Sequence, residues 1–328
     1  VYNISNVPVN REGIVDSCLL ILHDWSNAIA LEDKEIDEER GVIREEWRTR
    51  TNANMRILAK LIPQVFAGSQ YANRMPIGTM DIVMNFPYQT LKDYYHKWYR
   101  PDLQGIIIVG DIDADKTEKK LKEIFNTIPK PENAAERIYY TVPDNKEPII
   151  AIAKDKEATG SQVTVYYKHK PMTKELKATI AGIAGIYLKS VTSMMLNDRL
   201  KEISEKPNAP FMSAYSYDAN FIVSKTMDAF TTMAVSKEGE TQKALKALLQ
   251  ETERVNRFGF TESEYERAKA NLLSMIESMY KEREKQKNNS YVEEYVSHFT
   301  DGGSICGIET DYMLLNKVAA STLSLIHI

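Results

Sequence analysis

An α+β protein of two homologous domains, residues 1–150 and 160–328, each a mainly antiparallel sheet packed against long helices, is the fold the sequence predicts. Three observations carry that expectation. Strand-like and helical periodicities are mixed in both halves, the halves match one another at a constant offset, and a charged stretch ending in glycine separates them. A chain of 328 residues with 43% hydrophobic and 27% charged residues can also fill two globular cores.

The elements follow in order. Residues 1–5 alternate as a strand, and residues 11–30 place Ile14, Cys18, Leu19, Leu22 and Trp25 at helical spacing. One long helix is expected from residue 32 past residue 61. Pro76 and Gly78 then break the chain before a helix over 90–99, which ends at Pro101. Residues 103–110 form an apolar run suited to a strand buried on both faces, and Asp113 can cap the helix carrying Leu121, Ile124 and Phe125. Strands are expected at 137–142 and 148–153, and residues 154–160 suit a linker. In the second half, a strand over 162–169 precedes a mostly apolar helix over 176–203, then strands at 211–217 and 230–235. Helices over 238–255, 261–287, 290–298 and 309–318 complete the pattern.

The halves correspond without a gap. At an offset of 229 residues Val1-Tyr2-Asn3-Ile4 falls on Phe230-Thr231-Thr232-Met233, a helix falls on a helix, and Leu31-Glu32-Asp33-Lys34-Glu35-Ile36 falls on Phe260-Thr261-Glu262-Ser263-Glu264-Tyr265. Duplication explains three matches in one register better than coincidence does.

Composition narrows the chemistry. With 42 Lys and Arg against 46 Asp and Glu, the formal charge of -4 offers nucleic acid no general attraction, and no basic stripe studded with aromatics occurs. No apolar run of about 18 residues is present to form a membrane-spanning helix. Cys18 and Cys306 are too few for a thiolate zinc cluster, and Cys18 sits on an apolar helix face where a small buried hydrophobe is the simpler role. Phosphate-loop, dinucleotide and serine-hydrolase signatures are lacking. The five histidines, His23, His96, His169, His298 and His327, are scattered, and none forms a zinc-binding helical pair.

The informative helix runs through Glu32 to Arg48. Ile36, Val42, Ile43 and Trp47 define an apolar face, with Glu39 and Glu46, two turns apart, inside that sector and Arg40, Arg44 and Arg48 outside it. Carboxylates facing a core need a cation, strong donors or a wet cleft. A partly buried, simply acid-rich helix explains the same pattern.

Residues 35–48 resemble the segment carrying the third zinc ligand in the pitrilysin/insulinase family of zinc metallopeptidases. Arg74-Met75-Pro76-Ile77-Gly78-Thr79, Tyr99-Arg100-Pro101-Asp102-Leu103 through Asp113, and Leu196-Asn197-Asp198-Arg199-Leu200 are similar to further signatures of that family, in order along the chain. The closest likeness is to its long bacterial members. The resemblance implies a zinc site made by two histidines of an inverted His-x-x-Glu-His helix and one later glutamate. It assigns Glu46 as that glutamate and Glu39 as a carboxylate supporting the site from behind the ligands. The inverted motif, its general base and the substrate-pairing edge strand are expected before Val1, so no catalytic residue is expected within the 328 residues.

The expected function is that of a fragment of a zinc-dependent metalloendopeptidase acting on peptides or small unfolded proteins, inactive as an isolated piece. Both ends of the sequence suggest cuts, because it opens directly on a strand and stops in an uncapped apolar stretch. Zinc is the cofactor, peptide and the remaining half of the parent chain are the partners, and the bacterial cell envelope is the expected compartment. At the 229 offset Glu39 falls on Ala268 and Glu46 on Met275, which marks the second domain as the non-catalytic duplicate. A catalytically dead family member serving as an assembly subunit is the rival.

Overall fold

The computed structural model describes residues 1–322; the apolar end at 323–328, with His327, lies outside the described residues. The chain runs through α1 (Ile14–Asn27), α2 (Asp33–Arg50), α3 (Ala53–Val65), α4 (Met80–Asn85), α5 (Tyr88–Trp98) and α6 (Ala114–Phe125) before its first strand. It continues as β1 (Ser161–His169), α7 (Lys174–Lys177), α8 (Ile180–Ser204), β2 (Ser213–Asn220), β3 (Asp228–Ser236), α9 (Thr241–Phe258), α10 (Glu262–Lys281), α11 (Asn288–Asp301) and α12 (Ile308–Ser321). The described fold is α+β, with one small antiparallel sheet among many helices.

Two compact units are woven from these elements. One comprises Val1–Thr51, Met75–Ile138 and Lys287–Phe299; the other comprises Asn52–Arg74, Tyr139–Gln286 and Thr300–Ile328.

The first unit is helical. Leu19 of α1 is buried, and α1 is tied to α6 by the Asp16 to Lys120 ion pair and by His23, whose ring meets Phe125 edge-on at 5.6 Å. Tyr95 of α5 accepts from the Ile29 amide at 3.3 Å and donates to the Trp25 carbonyl at 3.1 Å, which fixes the chain between α1 and α2. Asp113 caps α6 as expected, accepting from the Lys116 amide at 2.9 Å. The strands expected at 1–5 and 103–110 are not formed. An extended segment becomes a strand only when a neighbouring strand takes its backbone groups, and the described sheet includes neither segment.

The second unit holds the sheet, in the order β1-β3-β2, all antiparallel. The central strand β3 pairs Ser236 with Ser161 and Asp228 with His169 on one side, and Val235 with Ser213 on the other. One layer of core lies between the sheet, α8 and α9, built from Leu196, Leu200, Phe211, Ala234, Ala244 and Leu248. A second layer lies between α8, α10 and α12, built from Tyr187, Val191, Met195, Tyr265, Ala268, Val318 and Ala319. Because α8 is covered on both sides it is apolar all round, which is why its periodicity in the sequence is weak. Tyr187 and Tyr265 share a hydrogen bond of 2.9 Å within this core.

Residues 137–142 and 148–153, expected as strands, do not join the described sheet, and Ile138, Ile150 and Ile152 are exposed. The stretch expected to be a linker is held down instead. Arg56 of α3 binds Asp155 through two bonds of 2.7 and 2.8 Å, and Lys60 donates to the Lys154 carbonyl at 2.7 Å.

Candidate functional site

Helix α2 is oriented by its burial stripe. Ile36 and Arg40 are buried, Ile43 is half-buried, and Val42 and Trp47 are exposed by 58% and 39%. This corrects the face expected from periodicity, which counted Val42 and Trp47 as inward and Arg40 as outward. Arg40 wins the inner position because its whole hydrogen-bonding head is satisfied there. The guanidinium donates to the carbonyls of Val83 and Phe86, pairs with Asp37 at 3.0 Å, and lies 4.0 Å over the Phe86 ring. Tyr88 donates to the other Asp37 oxygen at 2.7 Å, and Lys92 reaches Asp33 at 2.6 Å. The Tyr88 hydrogen bond first, and then Arg40, hold the Asp37 carboxyl below its ordinary range. The helix is thereby fastened to the turn between α4 and α5.

That fastening sends Glu39, Val42 and Glu46 outward together. They sit three and four residues apart and share one open face. Glu39 is exposed, while the Glu46 side chain is 42% exposed and meets Arg50 at 3.0 Å. The two glutamates are therefore solvent-facing, as the acid-rich reading allows, and are not carboxylates buried in this unit's core. Among the described residues no three His, Cys, Asp or Glu side chains gather closely enough to hold a metal ion. A zinc site needs three protein ligands, so the described residues do not fit that metal by themselves.

His23 bonds Asp24 at 3.1 Å and Thr127 at 3.2 Å, and His169 bonds Asp218 at 3.0 Å and the Lys170 carbonyl at 3.0 Å. Cys18 is half-buried and Cys306 is exposed.

The other family-like stretches are structural. Met75-Pro76-Ile77-Gly78 closes a turn through the Gly78 amide and the Met75 carbonyl at 2.9 Å, with Gly78 at a φ of 73° that favours glycine. Arg100 is buried and donates to the Ala135 carbonyl at 2.6 Å, while Tyr99 packs 4.5 Å from Tyr95. In the second unit Asn197 bonds both backbone groups of Ser216, and Asp198 pairs with Arg267 at 3.1 Å. Arg199 is clasped by Glu264 and Glu251 over the Phe260 ring. The Arg199 hydrogen bond, supported by Thr261, pulls Glu264 down to about 2 against the opposing effect of burial. Sequence reasoning singled out Asn197, Asp198 and Arg199 without finding these roles, because their partners lie 19 to 69 positions away.

Residues 85–272 match the family model of the peptidase M16 inactive domain. The zinc protease PQQL-like protein of Arabidopsis thaliana is 29% identical over 323 residues, which is 97% of this chain and 30% of that protein. The probable zinc protease PqqL of Escherichia coli strain K12 is 27% identical over 278 residues, 85% of this chain and 29% of that protein. The chain thus spans less than a third of the length of these curated relatives. A crystal structure of the first half of the periplasmic protease PqqL from Escherichia coli shares the fold, with a TM-score of 0.79 at 21% identity over 98% of this chain and 69% of that one.

Proposed function

Since this chain belongs to the peptidase M16 family, that of pitrilysin and insulinase, we propose that it is part of a longer zinc-dependent metalloendopeptidase in which α2 supplies one ligand. Glu46 is that ligand and Glu39 is a positioning carboxylate for the same site. The other two ligands and the general base come from residues outside this sequence. The observation that carries this reading is the open face of α2, where Val42 and Trp47 are exposed beside two carboxylates on a helix otherwise anchored from behind. Apolar side chains left in water beside ligand-type groups mark a face made to be covered.

The second unit supports the same reading. Helices α2 and α10 start 229 residues apart, at Asp33 and Glu262, and both bury the third residue after the start, Ile36 and Tyr265. On α10 the position matching Glu39 is Ala268, packed under α8 through Val191 and Met195; Met275, which matches Glu46, stays exposed. On this reading a counterpart of α8, outside this sequence, covers Glu39. That counterpart is where the missing ligands belong. The duplicate carries no carboxylate at either position, so residues 1–150 are the catalytic-type domain and residues 160–328 the non-catalytic one.

Peptides or small unfolded proteins are the proposed substrates, with the other half of the parent chain as the structural partner. The cell envelope is the proposed location, following the Escherichia coli relative described as periplasmic. The test is zinc content after dialysis together with peptide cleavage. The 328 residues alone are expected to hold no stoichiometric zinc and to cleave nothing. The longer protein is expected to do both and to lose both on Glu46→Gln, with Glu39→Gln weakening metal retention by roughly ten- to a hundredfold. Full zinc and activity in the Glu46→Gln protein contradict the assignment, and a longer protein without zinc supports an assembly subunit instead.

A further inference from the structure

The two edges of the three-stranded sheet are finished differently. In an antiparallel strand the N–H and C=O of one residue point to one neighbour, and those of the next residue point the opposite way. At β2 the outer edge is closed. The Asn197 side chain donates to the Ser216 carbonyl at 3.0 Å and accepts from the Ser216 amide at 2.6 Å, taking the place of a neighbouring strand. Ser216 therefore turns its backbone away from β3. Following the register from Ser216 through Thr232 to Val165, the residues of β1 that turn their backbone away from β3 are Gln162, Thr164, Tyr166 and Lys168.

No described residue takes the backbone groups of those four. The edge is nine residues long, with no proline, no bulge and no charge before Lys168. Proteins blunt an edge that stays free with such devices, so a long bare edge beside a capped one signals that the bare one is paired. We propose that the outer edge of β1 is the seat of a fourth strand, an extended segment of the longer polypeptide outside these 328 residues. The length of that polypeptide supplies the occupant: the chain spans 30% of its Arabidopsis relative and 69% of the first half of the PqqL structure. Val163 and Val165 are half-buried and share the sheet face that packs on α8 and α9, so a strand added here extends an existing core. This inference does not rest on the zinc assignment, since it concerns another unit and needs no metal.

Amide hydrogen exchange tests it, in the 328-residue chain and in the longer protein without added peptide. In the short chain the amides of Gln162, Thr164, Tyr166 and Lys168 should exchange roughly tenfold or more faster than those of Val163, Val165 and Tyr167. In the longer protein that difference should vanish. A difference that persists there, that disappears only when a peptide substrate is added, or that fades with rising protein concentration in the short chain overturns the proposal in favour of a free edge, a substrate site or self-pairing. Proline substitution gives a second readout in the longer protein. Thr164→Pro should lower Tm as much as Val165→Pro, whereas at an unpaired edge Thr164→Pro is the milder of the two.

Discussion

Arg40 decides how α2 sits. Its guanidinium ends in the carbonyls of Val83 and Phe86 and the carboxylate of Asp37, so truncation takes the donor from a buried and a half-buried carbonyl, while exposed Asp37 keeps Tyr88. Arg40→Ala should cost about 2–4 kcal/mol in urea unfolding, and Arg40→Lys should recover only part, because an ammonium cannot reach two carbonyls and stack on Phe86 together. Periodicity could not find this residue, since it counts every arginine as polar whatever its head group meets. The same blindness put Trp47 inside and left Glu39 and Glu46 seemingly buried. In the second unit, Glu264 gives a residue-scale test by pH. Its folded value near 2 lies below the ordinary 4.5, so its contribution is complete above about pH 4.5 and fades as pH falls towards 2. Glu264→Gln should therefore flatten the acid limb of the stability curve while lowering stability at pH 7.

At the scale of elements, helices with one apolar stripe were legible and boundaries set by capping were not. All five residues expected on the inner face of α1 are buried or half-buried. The single helix expected from 32 past 61 is two, because the Asn52 side chain accepts from the Met55 amide at 3.1 Å and starts α3 afresh. Thr179 divides α7 from α8 in the same way, accepting from the Gly182 amide at 3.1 Å. Gly182 then passes so close to α7 that an added Cβ would sit 2.1 Å from the Leu176 carbonyl oxygen. Gly182→Ala should accordingly destabilise by about 1–3 kcal/mol in thermal or urea unfolding despite alanine's better helix propensity. The strands of the second unit were legible from alternation to within three residues of their ends. Those at 1–5, 103–110, 137–142 and 148–153 carry equally good β-forming residues but do not join the described sheet, and alternation reports side-chain fitness for a sheet, not the presence of a neighbouring strand.

For the whole molecule, the family was legible in the sequence because the stretches that resemble its signatures carry buried arginines, a turn glycine and an edge-capping asparagine, each of which holds part of this fold. The offset of 229 residues recurs in the starts of α2 and α10 but not in the strands, since β3 falls on the unpaired residues at the start of the chain. That Glu39 and Glu46 share one helix face was legible. That this face is open was not, because periodicity does not show which side of a helix its neighbours cover. The most direct test is the anomalous scattering of zinc in crystals of the longer protein. The account predicts one zinc peak about 2.0–2.2 Å from a carboxylate oxygen of Glu46, with two ligands from outside residues 1–328. A zinc peak coordinated without Glu46 would contradict it.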